Sequence, residues 1–383
     1  MTPGARAAAA IAVLDRILAG EPAEKTLISW ARGSRYAGSG DRAAVRDLVY
    51  QALRCRRSFA ALGGGLTGRG LILGGLRAAG QDPAHWFDGS PYAPEILTPE
   101  DAGRAPTEDE ALNCPDWLQA PLRDALGADF AAVMQAMQHR APVFLRVNPR
   151  RGAVADAVAQ LQSDGITAVS HPLSRFALQV TEGERKIQTS QAYLSGLVEV
   201  QDASSQAVSD AVPLTVGQKV LDLCAGGGGK ALALAARADV TLFAHDANPR
   251  RMTDLPDRAR RAGVKIAVTD NPEKAAPYDV ILTDVPCSGS GSWRRDPEGK
   301  WALTADRLAA LCAVQADILD RAAGLCAADG TLAYATCSLL RAENEDQITA
   351  FLSRTPGWKQ LARQRFSPMQ GGDGFGLFLL RRS

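Results

Sequence analysis

Two cysteines stand where a folded sheet would present them side by side. Cys287 follows the apolar run 278–283 in the stretch DVPCSGSG, and Cys337 follows the run 331–336 in the stretch YATCS. A single buried cysteine is usually inert core filler. Two thiols at the ends of two neighbouring strands favour nucleophilic catalysis by a thiolate, and two buried structural thiols are the alternative.

An electron-poor ring carbon is the electrophile that needs this chemistry. C5 of cytosine is a poor nucleophile until a thiolate adds at C6 and creates an enamine, which can attack a methyl sulfonium. Asp284, shortly before the first cysteine, would hydrogen-bond the N3/N4 edge of the ring and stabilise the charge that develops there. A base must then remove the C5 proton before the enzyme is eliminated. Spacing alone does not decide which thiol attacks.

A glycine-rich loop and a series of acids predict a cofactor crevice. The loop CAGGGGK, residues 224–230, follows an apolar strand, and an aspartate follows each of the next three predicted strands. Because ligands of an open α/β sheet bind outside the carboxyl ends of its strands, these residues are expected to line one crevice. The predicted cofactor-binding residues are Cys224, Ala225, Gly226, Gly227, Gly228, Gly229, Lys230, Asp246, Asp270 and Asp284.

The charges in this crevice indicate the kind of cofactor. Asp222 lies inside the first strand, where an acid suits a cationic amino acid better than a pyrophosphate. S-adenosylmethionine offers a sulfonium, an ammonium, a ribose and an adenine, and it has no phosphate for the acids to repel. A dinucleotide is the competitor, since Gly226, Gly228 and Ala231 loosely match its fingerprint. A P-loop is excluded because Ala231 stands where Ser or Thr is required.

The order of the predicted elements defines the fold. Alternating strands and helices from Gln218 onward predict an α/β fold with an open, mostly parallel, doubly wound Rossmann-like sheet. Short β-like runs around one helix precede it and predict a small α+β unit, and the N-terminal part has helical periodicity. The predicted domains are a helical region with an acidic linker at 1–138, the α+β unit at 139–212 and the catalytic domain at 213–383.

Composition excludes several classes of protein. The chain is 46% hydrophobic and 22% charged, which fits a folded globular protein. No apolar run approaches the roughly 18 residues of a membrane helix, so a cytoplasmic protein with no membrane partner is expected. The seven cysteines contain no CxxC pair and there are only four histidines, so neither a disulfide framework nor a metal site is predicted.

The charge distribution points to a polyanionic partner. Residues 1–80 carry twelve Lys/Arg and five Asp/Glu, whereas residues 81–130 carry two and eleven. A basic N-terminal lobe suits RNA, and solvated arginine-rich helix faces are the alternative. Two further groups could contact RNA. They are the arginines Arg140, Arg146, Arg150 and Arg151 and the stretch WRRDPEGKW at 293–301, whose tryptophans could instead be core anchors.

A series of motifs resembles one known family. QDASSQ (201–206), VLDLCAGGGGK (220–230), DVPCSGSGSWRRDPEGKW (284–301), YATCSLLRAENEDQI (334–348) and GGDGF (371–375) look like the motifs of the RsmB/NOP/Sun family of RNA (cytosine-5) methyltransferases. The resemblance covers roughly residues 140–383. RVNPRR resembles the start of the family's small RNA-binding α+β unit, and the N-terminal helices resemble the NusB-like RNA-binding domain of its bacterial RsmB branch.

The resemblance implies a function and a division of roles. Cys337 would attack C6, and Cys287 would assist breakdown of the covalent adduct. The glycine loop and the aspartates named above would bind S-adenosylmethionine. The partner would be RNA, namely 16S ribosomal RNA or a small-subunit precursor, and a monomer is expected.

Two positions depart from the family pattern. Gly227 stands where the family usually has proline, and Ala231 stands where threonine is common. Glycine adds backbone entropy to the open loop, so weaker cofactor binding is expected. This change keeps a second interpretation open, a non-catalytic RNA-binding ribosome-assembly factor that retains the methyltransferase fold. A nicotinamide-dependent oxidoreductase is a third, but no hydride-transfer site is evident.

Overall fold

The computed structural model describes residues 1–382, which divide into two compact units. The helical unit contains residues 1–140 and the short segment 293–302. The α/β unit contains residues 141–292 and the chain from Leu303 onward. The segment 293–302 was expected to lie inside the catalytic domain, and its packing with the helical unit was not anticipated from the sequence.

The helices of the described residues are mostly short. In chain order they are α1 (Pro3–Leu18), α2 (Ala23–Gly33), α3 (Ser39–Arg54), α4 (Arg56–Leu62), α5 (Gly68–Ala78), α6 (Glu108–Ala111), α7 (Asp116–Leu126), α8 (Phe130–Ala136), α9 (Val154–Ser163), α10 (Gln191–Leu194), α11 (Ala203–Ala211), α12 (Gly229–Arg237), α13 (Leu255–Ala262), α14 (Pro297–Ala302), α15 (Ala305–Leu325) and α16 (Glu345–Arg354). No helix within residues 1–382 is long and apolar enough to span a bilayer.

The strands all belong to the α/β unit. They are β1 (Val143–Val147), β2 (Thr167–Ser170), β3 (Ala177–Glu182), β4 (Val198–Val200), β5 (Lys219–Asp222), β6 (Thr241–Ala244), β7 (Ala267–Val268), β8 (Tyr278–Asp284), β9 (Cys326–Thr336), β10 (Trp358–Phe366) and β11 (Phe375–Arg382).

The helical unit is held by an apolar stripe that the sequence displays. Ala7, Ala10 and Leu14 on α1 recur at helical spacing and are fully buried against residues of α3 and α5. Helices α4 and α5 approach so closely that a Cβ at Gly74 would lie 1.9 Å from the Phe59 carbonyl oxygen. The prediction of an all-helical N-terminal region is confirmed, and residues 81–107 between α5 and α6 are largely irregular, as expected.

The small sheet has the strand order β2-β3-β1-β4, with antiparallel pairing throughout. Helix α9 packs Ala157 and Leu161 into its core with Leu145 and Leu178. The prediction of a small α+β unit is therefore confirmed. The three-residue strand β4 was missed because so short a run shows no alternation.

The large sheet has the order β10-β11-β9-β8-β5-β6-β7. The pairs among β5, β6, β7, β8 and β9 are parallel, and β11 joins β9 and β10 antiparallel at one edge. A mostly parallel sheet was predicted, and this is confirmed. Buried runs such as Val280-Ile281-Leu282 in β8 pack into clusters with residues of α12 and α15, as expected for strands covered on both faces.

Candidate active site

The two cysteines predicted from the strand ends lie side by side. Strands β8 and β9 are parallel neighbours in which Asp284 pairs with Ala335, so the chain leaves both strands at the same edge. The Sγ atoms of Cys287 and Cys337 are 3.3 Å apart, within hydrogen-bond distance for sulfur, and both side chains are half-buried. The structure therefore brings together two thiols that are separated by fifty residues of sequence.

The environment of Cys287 favours its neutral form. Its hydrogen bond with Cys337, its burial and the nearby charges of Cys337 and Glu343 raise the pKa of Cys287 well above its ordinary value. The backbone amide of Gly289 acts in the opposite direction without reversing the shift. At neutral pH Cys287 is therefore a thiol, which can donate a hydrogen bond to Cys337 and is a poor nucleophile.

An ion pair between the buried Lys230 and the half-buried Asp284 lies beside the thiols. The Nζ atom of Lys230 is 2.6 Å from a carboxylate oxygen of Asp284, and Lys230 also lies over the ring of Phe375 at 4.9 Å. Burial alone would lower the pKa of Lys230, yet the charge and hydrogen bond of Asp284 outweigh burial, so its pKa is raised. Cys337 is a further group that stabilises the ammonium, which places a fixed positive charge close to that sulfur.

A buried glutamate connects the two cysteine loops. Glu343 is fully buried and accepts hydrogen bonds from the Ser288 amide at 2.7 Å, the Ser288 hydroxyl, the Ser338 hydroxyl and the Gln315 amide at 3.0 Å. Each serine directly follows one of the cysteines. Glu343 was not predicted from the sequence. The available signal was that a serine directly follows each cysteine, and that an acid lies five residues after Ser338.

The glycine loop supplies open backbone at the end of β5. Gly226 and Gly228 have φ values of +53° and +78°, and a Cβ at Gly228 would lie 2.3 Å from Leu255. The loop is fixed by bonds from the Gly228 amide to the Ala225 carbonyl at 2.7 Å and from the Ala225 amide to the His245 carbonyl at 2.9 Å. Because of their positive φ values, positions 226 and 228 accept only glycine without backbone strain.

Asp222 is the acid whose partners are missing. It is fully buried at the end of β5, and neither carboxylate oxygen has a hydrogen-bond partner within residues 1–382. The backbone amides of Cys224 and Ala231 favour its charged form but do not reach hydrogen-bond geometry. Burial and the charge of Asp284 raise the pKa of Asp222 to about 7. A buried carboxylate of this kind fits a cationic group of a ligand.

The other predicted cofactor residues differ in how closely they join this loop. Asp246 is buried and accepts hydrogen bonds from the Gly226 amide at 2.8 Å and from Arg251 at 3.2 Å. Cys224 is half-buried, and burial followed by the charges of Asp222, Asp284 and Asp246 raises its pKa, so it remains a thiol. Asp270 is exposed two residues beyond β7, and its side chain makes no hydrogen bond or ion pair within the described chain.

The arginines expected to contact RNA are mostly engaged within the α/β unit. Arg146 is buried and donates to the Gly229 carbonyl at 2.8 Å. Arg150 donates to the Ala235 carbonyl at 3.0 Å, and Arg151 donates to the Arg261 carbonyl at 2.9 Å. The expectation that Arg146 tracks an RNA backbone does not fit its burial. These side chains tie the small sheet to the helices that support the glycine loop.

The Trp293 side chain is also buried within the protein. Its side chain is 1% exposed, which fits the alternative that it is a core anchor. Among residues 1–382, no group of three or more His, Cys, Asp or Glu side chains is placed to hold a metal ion.

Replacement of Gly227 by proline is expected to tighten cofactor binding. Gly227 is exposed, its φ lies outside the left-handed region and its amide makes no hydrogen bond within residues 1–382. Proline would remove backbone freedom without removing a hydrogen bond of the amide, a gain of about 0.4–1 kcal/mol, or roughly two- to fivefold in affinity, provided that the Arg258 guanidinium, 3.1 Å from the added Cβ, shifts slightly. Calorimetric titration of wild type, Gly227→Pro and Gly227→Ala with S-adenosylmethionine measures this. Equal affinities of the wild type and the proline variant would contradict the expectation.

Comparison with known proteins identifies relatives of the α/β unit and of the end of the helical unit that precedes it. Residues 211–378 match the family model described as 16S rRNA methyltransferase RsmB/F, and residues 114–187 match the RsmF/B-like ferredoxin-like domain. The ribosomal RNA small subunit methyltransferase B of Xanthomonas campestris is 36% identical over 293 residues, which cover 70% of this chain and 66% of that protein. The protein of the same name from Klebsiella pneumoniae is 34% identical over 279 residues, 68% of this chain and 64% of that one.

The chain spans slightly under two thirds of the length of each of these two relatives. A solved structure extends the fold comparison. The crystal structure of a protein designated PH0851 superimposes with a TM-score of 0.76 over 100% of this chain and 99% of that chain, at 21% identity. The two proteins share a fold.

Proposed function

The chain belongs to the RsmB/NOP/Sun family, and from this premise we propose that it transfers a methyl group from S-adenosylmethionine to C5 of a cytosine in small-subunit ribosomal RNA. The observation that carries the proposal is the pair of Cys287 and Cys337, whose sulfur atoms are 3.3 Å apart beside Lys230 and Asp284. If the two cysteines only packed the core, nothing would require their thiols to be in contact at the ligand-binding edge of the sheet.

Cys337 is the attacking nucleophile in this proposal. The Lys230 ammonium lies close to its sulfur and stabilises negative charge there, while the neutral Cys287 thiol donates a hydrogen bond to it. Addition of the Cys337 thiolate to C6 makes C5 nucleophilic. Asp284, held by Lys230, faces the edge of the ring where charge develops.

Cys287 then serves as the base that allows release. Part of the elevation of its pKa comes from the hydrogen bond and the negative charge of Cys337. When Cys337 becomes a thioether on C6, that charge is gone and the pKa of Cys287 falls, which favours loss of its proton to water against the remaining effects of burial and Glu343. The Cys287 thiolate then takes the C5 proton as the C6–S bond breaks, which restores the original pair and leaves one proton in solution for each methyl group transferred.

The residues of the crevice fit the methyl donor. The donor supplies an electrophilic methyl on sulfur. Asp222, buried and without a hydrogen-bond partner, would hold its ammonium, and Asp246 beside the glycine loop would take the ribose hydroxyls. Gly226 and Gly228 let the backbone approach the ligand, and Asp270 would contribute from the rim.

Binding of the donor is expected to release a proton from Asp222. Because its pKa is about 7, the free protein carries Asp222 largely protonated at pH 6, and an ammonium partner requires the carboxylate. Because the pKa of Asp222 is higher in the folded free protein than in the unfolded chain, protonated Asp222 stabilises the folded state. This stabilisation is fully present below pH about 4 and is lost as the pH rises through about 7. Affinity for the donor therefore rises with pH up to about 7.

Calorimetry in two buffers of different ionisation enthalpy counts this proton. We expect close to one proton released at pH 6, almost none at pH 8.5, and none with Asp222→Asn, whose affinity falls by about 3 kcal/mol, on the order of 100-fold. Asp239→Asn, an exposed acid paired with Arg150, is the matched control. Proton-neutral binding at pH 6 would remove Asp222 from the ammonium site.

Methyl transfer to RNA tests the proposed function itself. Wild type and Cys337→Ala are incubated with labelled S-adenosylmethionine and an unmodified small-subunit ribosomal RNA transcript, and the digested nucleosides are separated by mass spectrometry. Label in 5-methylcytidine with wild type alone is the expected result. Label in another nucleoside would overturn the cytosine-5 assignment, and RNA binding with no transfer would favour an assembly factor.

A further inference from the structure

The helical unit contains a cavity that the proposed reaction does not use. Its volume is about 640 Å³, within the range of small-molecule sites. The main side chains and backbone segments on its wall are Arg56, Arg57, Gly64, Gly65, Arg104 and Trp301. The wall therefore combines glycine backbone with cationic and aromatic side chains, and small apolar residues and Glu110 complete it.

Arg56 is the unusual member of this wall. Its guanidinium lies over the ring of Trp301, 5.2 Å from the centroid, and makes no hydrogen bond or ion pair within residues 1–382. Its partial burial lowers its pKa, which shows a cation that has lost part of its hydration without gaining a counter-ion. A guanidinium in this state favours an anionic partner.

The two neighbouring arginines are already satisfied. Arg57 donates at 2.7 Å to both the Cys114 carbonyl and Asp116. Arg104 forms a two-pronged pair with Glu110 at 2.6 and 2.7 Å, which also neutralises the carboxylate on the cavity wall. Arg56 alone among these three supplies an uncompensated charge.

The aromatic wall is held rigidly. The Nε1 atom of Trp301 donates to the Leu53 carbonyl at 2.7 Å, at the end of α3. The buried Lys300 donates to the adjacent Arg54 carbonyl at 3.1 Å, and its Nζ lies 4.8 Å from the Trp301 ring centroid. These bonds fix the ring over which the Arg56 guanidinium lies, so this part of the cavity wall has little conformational freedom to lose on binding.

We infer that this cavity binds one nucleotide of single-stranded RNA, with the phosphate bonded to Arg56 and the base stacked on the guanidinium plane that Trp301 supports. A flat ring joined to an anion is the ligand that matches a stacked, unpaired guanidinium. The wall at Gly65 leaves room for it, since a Cβ there would meet no atom within 4 Å. The inference rests on the proposed RNA substrate and adds a second contact in the helical unit.

Two variants of the full chain test the cavity in different ways. Arg56→Gln removes the charge, and Gly65→Leu fills the cavity while leaving the Arg56–Trp301 stack in place. Arg363→Gln, which removes an exposed arginine on β10, outside the basic lobe and the cavity wall, is the control for charge. Fluorescence anisotropy with a labelled single-stranded small-subunit RNA fragment gives Kd at several salt concentrations, and thermal melting confirms that each variant is folded.

We expect both cavity variants to raise Kd about tenfold and Arg363→Gln to change it less than twofold. The dependence of log Kd on log salt should fall by roughly 0.7 with Arg56→Gln and remain unchanged with Gly65→Leu. In methyl transfer, KM for RNA should rise while kcat stays the same. Unchanged Kd in both folded cavity variants would overturn the inference even if the wild type methylates RNA. Absent methylation by the wild type, with Kd still raised in both variants, would overturn the proposed reaction and leave the cavity standing.

Discussion

A protein–RNA adduct that survives denaturant is expected to accumulate with Cys287→Ala and to be absent with Cys337→Ala. Without Cys337 no C6–S bond forms, and loss of a nucleophile typically costs a factor on the order of 10⁴–10⁶ in turnover. Without Cys287 the adduct forms, but the base that takes the C5 proton is missing. Incubation with S-adenosylmethionine and end-labelled RNA, followed by a denaturing gel, measures the adduct directly.

Cys312→Ala is the matched control, because Cys312 is a half-buried thiol on α15 whose Sγ donates to the Ala342 carbonyl and to no other acceptor within residues 1–382. It should form no adduct and turn over at the wild-type rate. The reverse pattern, with an adduct in Cys337→Ala alone, would exchange the roles of the two thiols. An adduct in the double variant Cys287→Ala/Cys337→Ala would mean that neither sulfur attacks.

The thiol pair was predictable because it depends on topology alone. Parallel neighbouring strands end at the same edge, so recognising β8 and β9 from their apolar runs was enough to place Cys287 near Cys337. The same reasoning placed Asp284 and the glycine loop at that edge, and the ion pair of Asp284 with Lys230 agrees with it. Contacts that strand order alone determines can therefore be derived from sequence.

Contacts made by side chains across long separations were not predictable. Arg146 is of the residue type expected at an RNA contact, yet it is buried and donates to the Gly229 carbonyl. The sequence pattern does not show in which direction a single arginine side chain points. The segment 293–302 reads as part of the catalytic domain, yet Lys300 and Trp301 bond to the final carbonyls of α3, about 250 residues earlier. Free carbonyls at a helix end accept any well-placed donor, and no local signal identifies it.

Glu343 is the residue whose loss should most disturb the thiol pair without touching it. Its carboxylate accepts from Ser288 and Ser338, the residues that directly follow the two cysteines, and from Gln315. One buried acid therefore fixes both loops and the 3.3 Å separation of the sulfur atoms. Its negative charge also contributes to the raised pKa of Cys287.

Glu343→Ala is expected to cost about 3–4 kcal/mol of unfolding free energy, since it leaves buried serine and amide donors without an acceptor. Ser338→Ala removes one donor to Glu343 and leaves the buried Leu340 amide without its hydroxyl acceptor, and should cost about 1–2 kcal/mol. Thermal or denaturant unfolding of the full chain measures both. Glu345→Gln, two residues further on and half-buried, is the matched control and should remain close to wild type.

Glu343→Gln separates a specific effect on the thiols from a loss of packing, because it keeps the volume and one acceptor. Removing the negative charge should lower the pKa of Cys287, so its alkylation by iodoacetamide should reach half-maximal rate at a lower pH than in wild type. Peptide mass spectrometry assigns the modified cysteine, and Glu343→Asp should partly restore the wild-type profile. An unchanged pH profile of Cys287 in a folded Glu343→Gln protein would show that Glu343 only fills space, and that the separation of the two sulfur atoms is set by the strands themselves.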